Sequence, residues 1–264
     1  MNLHQYVREQ LGRVLAQPGE DEAILHNALR LLAKYRSTLL QNTLVQRHGT
    51  RVQAGPFAGM EFIAQSAEGC HVPKLLGCYE EELHGFLARL PEAGNQTILN
   101  IGCAEGYYAV GLKRLLPQAR VLAFDIDPKA RAACALLAEK NGVEVEIGGE
   151  FAPEDFARFT GNLLIWCDIE GAELDLLDPG SAPALHRADL VVELHPTPAG
   201  HTLALLPPRF AATHAIQILQ AGGHRPVLPS FLQQLGHLDQ LLAQWEWRSA
   251  PTPWAVMRAK GERA

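Results

Sequence analysis

The chain has 264 residues, and 47% of them are hydrophobic, which is enough apolar material to bury a full core. Its formal net charge of -6 gives no general attraction for polyanions, and its Lys and Arg residues are scattered, so we expect no nucleic-acid partner. The five cysteines lack CxxC spacing, which argues against a disulfide framework and a thiolate zinc site and favours a reducing compartment.

The first 50 residues are predicted to form an N-terminal helical extension. Residues 2–17 and 20–47 have helical spacing of apolar side chains, interrupted at Pro18 and Gly19. Their apolar face must either cover the main domain or pair with a second copy, so a homodimer through these helices is one expectation. The extension has no apolar signal core, and no later run reaches the length of a membrane span. We therefore expect a soluble, cytoplasmic protein with no membrane partner.

A second segment, residues 51–95, is predicted to cover the core. Residues 50–65 alternate between apolar and polar side chains around a Gly-Pro turn, which predicts a small hairpin. A helix is predicted from Tyr79 to Leu90, where Pro91 follows.

Strand and helix patterns alternate through residues 96–264. The predicted strands are 97–101, 120–126, 143–147, 163–169, 188–195, 225–230 and 254–260. A helix is predicted after each of the first five strands, and these helices lie at 107–116, 128–141, 153–159, 172–177 and 208–221. Strands that are apolar throughout indicate a sheet buried on both faces. We predict an α/β fold, a doubly wound Rossmann-like domain with a mostly parallel sheet.

The turn after the first strand, in "ILNIGCAEGYYAV", is predicted to bind a ligand. Such turns lie at the carboxyl edge of a doubly wound sheet. Gly102 and Gly106 allow a ligand to come close to the backbone and to the N-terminus of the following helix. A dinucleotide fingerprint would need glycines at 102, 104 and 107, but Ala104 and Tyr107 stand there, which disfavours NAD.

Two aspartates close the second strand in "VLAFDIDP". Asp125 has the spacing from the glycines expected of an acceptor for ribose hydroxyls. Asp127 directly precedes Pro128 and is predicted to cap the next helix. A glycine turn followed by such an acid suits S-adenosylmethionine, which has no pyrophosphate to bind.

Together, "ILNIGCAEGYYAV", "VLAFDIDP", "DIEGAELDLLDP" and "VVELH" resemble the class I S-adenosylmethionine-dependent methyltransferases, most closely the FkbM-type group. The stretch "LLGCYEEEL" is similar to the segment before that family's first motif. The resemblance implies the following cofactor-binding residues: Asn100, Gly102, Ala104, Glu105, Gly106 and Tyr107 at the methionine side, Asp125 at the ribose and Glu150 near the adenine. Asn100 stands where the family usually has Asp.

Acidic residues at the ends of the fourth and fifth strands form a second candidate cluster. Side chains alternate along a strand, so Asp168 and Glu170 share a direction, as do Glu193 and His195. His195 can act as a general base on an acceptor hydroxyl. Alternatively, Asp168, Glu193 and His195 can bind a hard divalent ion such as Mg²⁺ that lowers the pKa of that hydroxyl.

The leading hypothesis is an S-adenosylmethionine-dependent methyltransferase that methylates a hydroxyl oxygen of a small metabolite or sugar-bearing molecule, with Asp168, Glu193 and His195 as catalytic residues. One alternative is a binding module that holds the cofactor without catalysis and acts within a complex. The cluster argues against that alternative, because a binding module needs no such residues. A second alternative is an NAD-dependent oxidoreductase.

Overall fold

The computed structural model describes residues 2–63, 70–198, 200–222, 227–248 and 250–261. Nine strands have these bounds: Thr97–Ile101 (β1), Arg120–Phe124 (β2), Glu146–Gly148 (β3), Leu163–Cys167 (β4), Asp189–Glu193 (β5), Pro196–Thr197 (β6), Gly200–His201 (β7), His214–Leu219 (β8) and Trp254–Ala259 (β9). Seven of them form one sheet in the order β3-β2-β1-β4-β5-β9-β8, and β6 pairs with β7. In the large sheet β9 runs antiparallel to both neighbours, whereas the other paired strands are parallel.

Helices cover both faces of this sheet. Their bounds are Leu3–Leu15 (α1), Asp21–His48 (α2), His71–Leu76 (α3), His84–Arg89 (α4), Tyr107–Leu115 (α5), Pro128–Lys140 (α6), Glu173–Leu176 (α7), Thr202–Phe210 (α8), Ser230–Gln233 (α9) and His237–Gln244 (α10). One group of buried apolar side chains joins α2, α3, α5 and α6 to the sheet, and a second group joins α8 and the segment before β4 to the other face. This arrangement confirms the predicted doubly wound, Rossmann-like fold with N-terminal helices.

The helix ends follow local capping chemistry. In α1, Asn2 and Gln5 satisfy each other's backbone amides as a capping box. In α6, the Asp127 carboxylate accepts a hydrogen bond from the Lys129 amide at 2.8 Å, which is the predicted cap. None of the helices in the described ranges combines the length and apolarity needed to cross a bilayer.

The predicted helix at 208–221 is wrong. Pro207 and Pro208 lie in the last turn of α8 rather than at a helix start, and the following residues form strand β8. The sequence "HAIQIL" from His214 to Leu219 alternates in burial, and β8 pairs along its whole length with β9. Pairing at the sheet edge therefore overrides the helical pattern, because β9 satisfies the backbone polar groups of β8 that face it.

Three smaller predictions need correction. The hairpin is an isolated bridge between Arg51 and Glu61 rather than two strands, and its last two predicted residues lie outside the described ranges. A helix does not begin at Tyr79, because Glu80 has φ 49° and the first turn is a 3₁₀ helix at Glu81–Leu83. In the predicted strand 225–230, the first two residues are not described, 227–229 are irregular and Ser230 begins α9.

Candidate active site

The candidate site lies at the carboxyl edge of the parallel strands. The strand order reverses between β1 and β4, and ligands of doubly wound sheets bind in the crevice at such a point. Two neighbouring cavities occur there. The smaller adjoins the turn after β1, and the larger, of about 600 Å³, lies over β4 and β5. Tyr79 and Asp168 line both cavities.

The turn after β1 requires glycine at two positions. Gly102 has φ 79°, and a Cβ atom there would lie 1.6 Å from the backbone oxygen of Asp168. Gly106 has φ 91°, and a Cβ atom would lie 2.7 Å from the Cys134 sulfur. Both positions combine a left-handed conformation with close backbone approach, which L side chains rarely tolerate. The turn is thereby held against β4 and α6.

Asp125 fastens this turn to the end of β2. Its Oδ2 accepts a hydrogen bond from the Ala104 amide at 2.9 Å, and its Oδ1 accepts one from the Asp127 amide at 2.8 Å. The carboxylate is half-buried beside the turn, where a carboxylate with four lone-pair positions can accept further bonds. Glu150 is exposed two residues after β3. The roles of Asp125 at the ribose and Glu150 at the adenine stay predictions.

The smaller cavity has polar groups in an apolar wall. Asn100 of β1 and Trp166 of β4 are register partners, so both side chains lie on the same sheet face. Asn100 is 2% exposed, and neither its Oδ1 nor the Trp166 Nε1 has a hydrogen-bond partner. The cavity volume is about 20 Å³, which is near that of one water molecule. A larger ligand would need side chains such as Tyr79 to move.

Sequence reasoning missed Lys74, which also lines the smaller cavity. It lies on α3 and forms a buried ion pair with the predicted cofactor residue Glu105, with Nζ and Oε1 2.6 Å apart. The available signal was Lys74 among the apolar side chains of "VPKLL", because a lysine is rarely buried unless it is paired. Predicted residue Tyr107 is buried, and its ring packs edge-on against Phe57.

The structure brings the predicted cluster together. Asp168, Glu193 and His195 each offer one ligand atom, and these atoms lie within 4.8 Å of one another. His195 Nε2 lies 3.7 Å from Asp168 Oδ1 and 3.4 Å from Glu193 Oε2. Glu170 Oε2 is 3.5 Å from the same nitrogen, but its side chain is 84% exposed. Two carboxylates and one imidazole at this spacing form a donor set suited to a hard divalent ion.

Glu173 orients the imidazole of His195. The Glu173 side chain is fully buried, and its Oε1 lies 2.9 Å from His195 Nδ1. The same oxygen accepts hydrogen bonds from the amides of Ile169 and Gly171. Nδ1 is engaged with Glu173, so Nε2 faces Asp168 and Glu193. A histidine that ligates a metal is commonly held in this way, by a carboxylate at its other ring nitrogen. Glu173 therefore positions the His195 ring as well as standing at the start of α7.

The groups around His195 decide whether it can act as the predicted general base. Burial would lower the pKa of His195, but hydrogen bonds to Glu173 and Glu193 outweigh it and raise that pKa to about 10. Burial would raise the pKa of Glu193, but hydrogen bonds from His195 and Thr252, together with the charge of Arg248, lower it to about 2. At neutral pH the ring is therefore protonated and cannot accept a proton, which disfavours His195 as a base in this state.

Residues just before β9 complete the site, and we call 245–248 and 250–252 the strap. Arg248 in the strap ion-pairs with Glu193 and also with Glu80, whose Oε1 lies 2.5 Å from its Nη2. Thr252 donates a hydrogen bond to Glu193 at 2.5 Å. These contacts fix one oxygen of Glu193 and leave the other directed toward His195. Sequence reasoning missed Arg248, because Glu193 and Glu80, which connect it to the site, are 55 and 168 residues away.

The larger cavity has both charged and aromatic walls. The strap provides Trp247 and Pro251, and α2 provides Lys34, whose Nζ lies 4.9 Å from the Trp247 ring centroid. β5 provides Glu193, and the residues just after β4 and β5 provide Asp168 and His195. The N-terminal helices therefore contribute to the wall of this cavity.

Comparisons with known proteins give the following matches. No family model matches the chain. A ribosomal RNA small subunit methyltransferase C from Ectopseudomonas mendocina (strain ymp) is 36% identical over 81 residues, which cover 29% of this chain and 24% of that relative. The chain thus spans about a quarter of the relative's length. A putative O-methyltransferase from Klebsiella pneumoniae is 13% identical, with a TM-score of 0.47 over 70% of this chain and 82% of that chain. The O-methyltransferase TomG from Streptomyces achromogenes, solved with SAM, is 16% identical, with the same TM-score and coverages.

Proposed function

We propose that this protein is an S-adenosylmethionine-dependent methyltransferase that acts on a hydroxyl oxygen of a small metabolite or sugar-bearing molecule. One observation carries the proposal. A small cavity beside a glycine turn meets a larger cavity lined by two carboxylates and an imidazole, and Tyr79 and Asp168 form their common wall. Once Tyr79 moves to open the first cavity, a methyl donor there and an acceptor in the second would be neighbours, as methyl transfer needs.

The residues of the smaller cavity fit the donor. Gly102 and Gly106 allow the turn to pack against Asp168 and Cys134, which fixes its backbone beside the cavity, and the buried Asn100 Oδ1 is an acceptor without a partner. We assign the methionine side of the cofactor to Asn100, Gly102, Ala104, Glu105, Gly106 and Tyr107, its ribose to Asp125 and its adenine to Glu150. When bound, the cofactor supplies an electrophilic methyl group on a sulfonium. The protein's part is to hold it and to exclude water.

We further propose that Asp168, Glu193 and His195 hold a divalent cation, Mg²⁺ in the first instance. The low pKa of Glu193 keeps a negative charge available there, and Glu173 holds the ring of His195 in place. The cation would supply the positive charge that lowers the pKa of an acceptor hydroxyl. The pKa of His195, raised to about 10, keeps the ring protonated at neutral pH, so the ring cannot take a proton from the acceptor. A ligating imidazole must be neutral, so a bound cation must displace the proton on Nε2, and cation affinity should rise with pH.

The alternatives are less well supported. Tyr107 occupies the place where a dinucleotide turn needs its third glycine, and its buried ring packs against Phe57 and Phe62. A binding module would not need the acidic cluster. Methylation of RNA would follow from the name of the Ectopseudomonas relative, but the larger cavity has four acidic side chains in its lining. These acids outnumber Lys34 and Arg248 in the same lining, and an excess of negative charge disfavours a phosphate backbone. We keep the FkbM-type assignment as a proposal that rests on "DIEGAELDLLDP".

The first test is calorimetric titration with S-adenosylhomocysteine, with NAD as the control ligand. We expect micromolar binding of S-adenosylhomocysteine, no binding of NAD, and a loss of at least tenfold in affinity in Asp125→Ala, because one charged hydrogen-bond acceptor contributes about 1.5 to 3 kcal/mol. Binding of NAD alone would overturn the proposal in favour of the oxidoreductase.

The cation is tested separately. Mn²⁺, which takes the same oxygen and imidazole ligands, should bind to the wild-type protein and lose affinity at least tenfold in Asp168→Asn. EDTA should abolish turnover of an accepted hydroxyl substrate but leave S-adenosylhomocysteine affinity nearly unchanged. Full activity in EDTA would remove the cation from the proposal and leave the donor site standing.

A further inference from the structure

Lys74 and Glu105 form an ion pair that stability alone does not explain. Their side chains are 2% and 0% exposed, and the ammonium also lies 4.7 Å from the centroid of the Tyr79 ring. Removing two charges from water costs several kcal/mol, and a buried pair often gives no more stability than apolar side chains of similar size. A charge pair at this place therefore points to a role in binding.

The pair lies in the wall of the smaller cavity and is held rigidly. Lys74 lies on α3, in which all six residues are buried. Gly77 ends this helix at φ 78°, with its backbone against Ala54, where a Cβ atom would be 1.9 Å from the Ala54 oxygen. Glu105 lies in the turn between β1 and α5. Both charges are thus placed before any ligand arrives, which reduces the ordering cost of binding.

The polar groups of this cavity divide into two kinds. Among the described residues that line it, Lys74 is the single cation, and the Trp166 Nε1 is a buried donor. Glu105 provides a negative charge, and Asn100 provides a buried carbonyl oxygen. The cavity therefore offers donors with a positive charge and acceptors with a negative charge. Their natural complement is a zwitterion that carries a carboxylate and an ammonium group.

We propose that Lys74 binds the carboxylate of the methyl donor's amino-acid end, while Glu105 and Asn100 accept hydrogen bonds from its ammonium group. This inference rests on the proposed function, because the donor is the zwitterion in question. It assigns to Lys74 the recognition of the amino-acid end, as distinct from the nucleoside end near Asp125. The ligand carboxylate then lies beside the ammonium of Lys74, and the ligand ammonium lies beside the carboxylate of Glu105.

The test compares ligands that differ only at that end. S-adenosylmethionine is compared with decarboxylated S-adenosylmethionine, which lacks the carboxylate, and S-adenosylhomocysteine with 5′-methylthioadenosine, which lacks the whole amino-acid end. The wild-type protein should prefer the carboxylate-bearing ligand roughly 10- to 100-fold, as expected for a charged hydrogen bond. Affinities are measured by calorimetry.

The main variant is the double substitution Lys74→Met and Glu105→Gln, which removes both charges together and leaves no buried charge unpaired. It should bind S-adenosylmethionine and its decarboxylated form equally and keep wild-type affinity for 5′-methylthioadenosine. Lys74→Arg should retain part of the preference. Lys260→Met, at an exposed lysine at the end of β9, is the matched control and should keep all of it. Circular dichroism and thermal unfolding verify that each variant is folded.

The outcomes separate this inference from the function on which it rests. If the wild-type protein binds all four nucleosides without preference for the carboxylate, or if the folded double variant keeps that preference, Lys74 does not recognise the carboxylate, and the donor site still stands. If the wild-type protein binds none of the four, the proposed function itself is wrong.

Discussion

His71 is a buried titratable residue whose ring nitrogens both lack hydrogen-bond partners. Desolvation lowers its pKa to about 4, with a smaller opposing effect from Glu105, so the ring stays neutral in the folded protein at pH 7. In the unfolded chain the pKa is near 6.5. Between these values the unfolded state binds more protons than the folded state, and stability therefore falls as the pH falls.

We predict that this one residue removes about 2 kcal/mol of unfolding free energy between pH 7 and pH 4.5. His71→Phe replaces the ring with one of similar shape that cannot titrate. The variant should therefore lose that much less unfolding free energy between the two pH values. Urea unfolding at the two pH values measures the difference. His237, an exposed histidine at the start of α10, provides the control, and His237→Phe should leave this pH dependence unchanged. Equal slopes in wild type and His71→Phe would contradict the prediction.

The residues of the acidic cluster could be predicted individually, because acids at strand ends converge at one edge of a parallel sheet. Their ionisation states could not be predicted from the sequence. The pKa of His195 depends on Glu173 and Glu193, and that of Glu193 depends on Arg248 and Thr252. Arg248 and Thr252 come from a segment 55 and 59 residues further along the chain. Only the folded protein places those charges side by side.

At the scale of elements, the turn between β1 and α5 is the most constrained. Gly102→Ala would place a methyl group 1.6 Å from the Asp168 oxygen in a backbone with φ 79°. We predict that the turn must shift, with a loss of about 1 to 3 kcal/mol of unfolding free energy and loss of S-adenosylhomocysteine binding. Thermal unfolding and calorimetry measure the two effects.

A matched control exists in α1. Gly12 lies inside this helix and is exposed, and a Cβ atom at this position would meet no other atom within 4 Å. Gly12→Ala should therefore stabilise the protein by about 0.5 to 1 kcal/mol and leave cofactor affinity unchanged. A Gly102→Ala protein with wild-type stability and affinity would show that the turn adapts freely.

Most elements from β1 to β5 were predicted correctly, because an apolar strand followed by a turn and a capped helix is encoded within about 30 residues. The Asp127 cap and the proline at the start of α6 are local signals of this kind. The failures lie where pairing with a distant element decides. Strand β8 has its conformation because β9, some 40 residues later, accepts its hydrogen bonds, and no local pattern records that partner.

At the scale of the whole molecule, the N-terminal helices are connected to the larger cavity. Arg30 on α2 donates hydrogen bonds to the backbone oxygens of Trp247 and Arg248, and Ser37 accepts one from the Trp247 indole. Trp247 has φ 64°, an unfavourable conformation that its surroundings must hold in place. The helices thus support the strap that positions Glu193. A homodimer through these helices stays a prediction.

We predict that Arg30→Ala loosens the strap without affecting the donor site. Hydrogen exchange followed by mass spectrometry should show faster exchange at residues 245–248, because opening of a loosely held segment costs less free energy. Affinity for S-adenosylhomocysteine should be unchanged. Arg8→Ala, on the exposed side of α1, is the control and should alter neither quantity. Unchanged exchange in Arg30→Ala would mean that the other contacts of the strap, to Ser37, Glu80 and Glu193, hold it without Arg30.

The fold class, the glycine turn and the candidate acidic residues follow from local sequence, because the period of apolar residues and the conformational limits of Gly and Pro act over a few residues. Three features do not follow from local sequence: the buried pair of Lys74 and Glu105, the position of Arg248, and the support of the strap by α2. Each depends on contacts between segments 31, 55 or more than 200 residues apart. Such contacts form only when the hydrophobic core brings distant segments together and excludes water from between their charges.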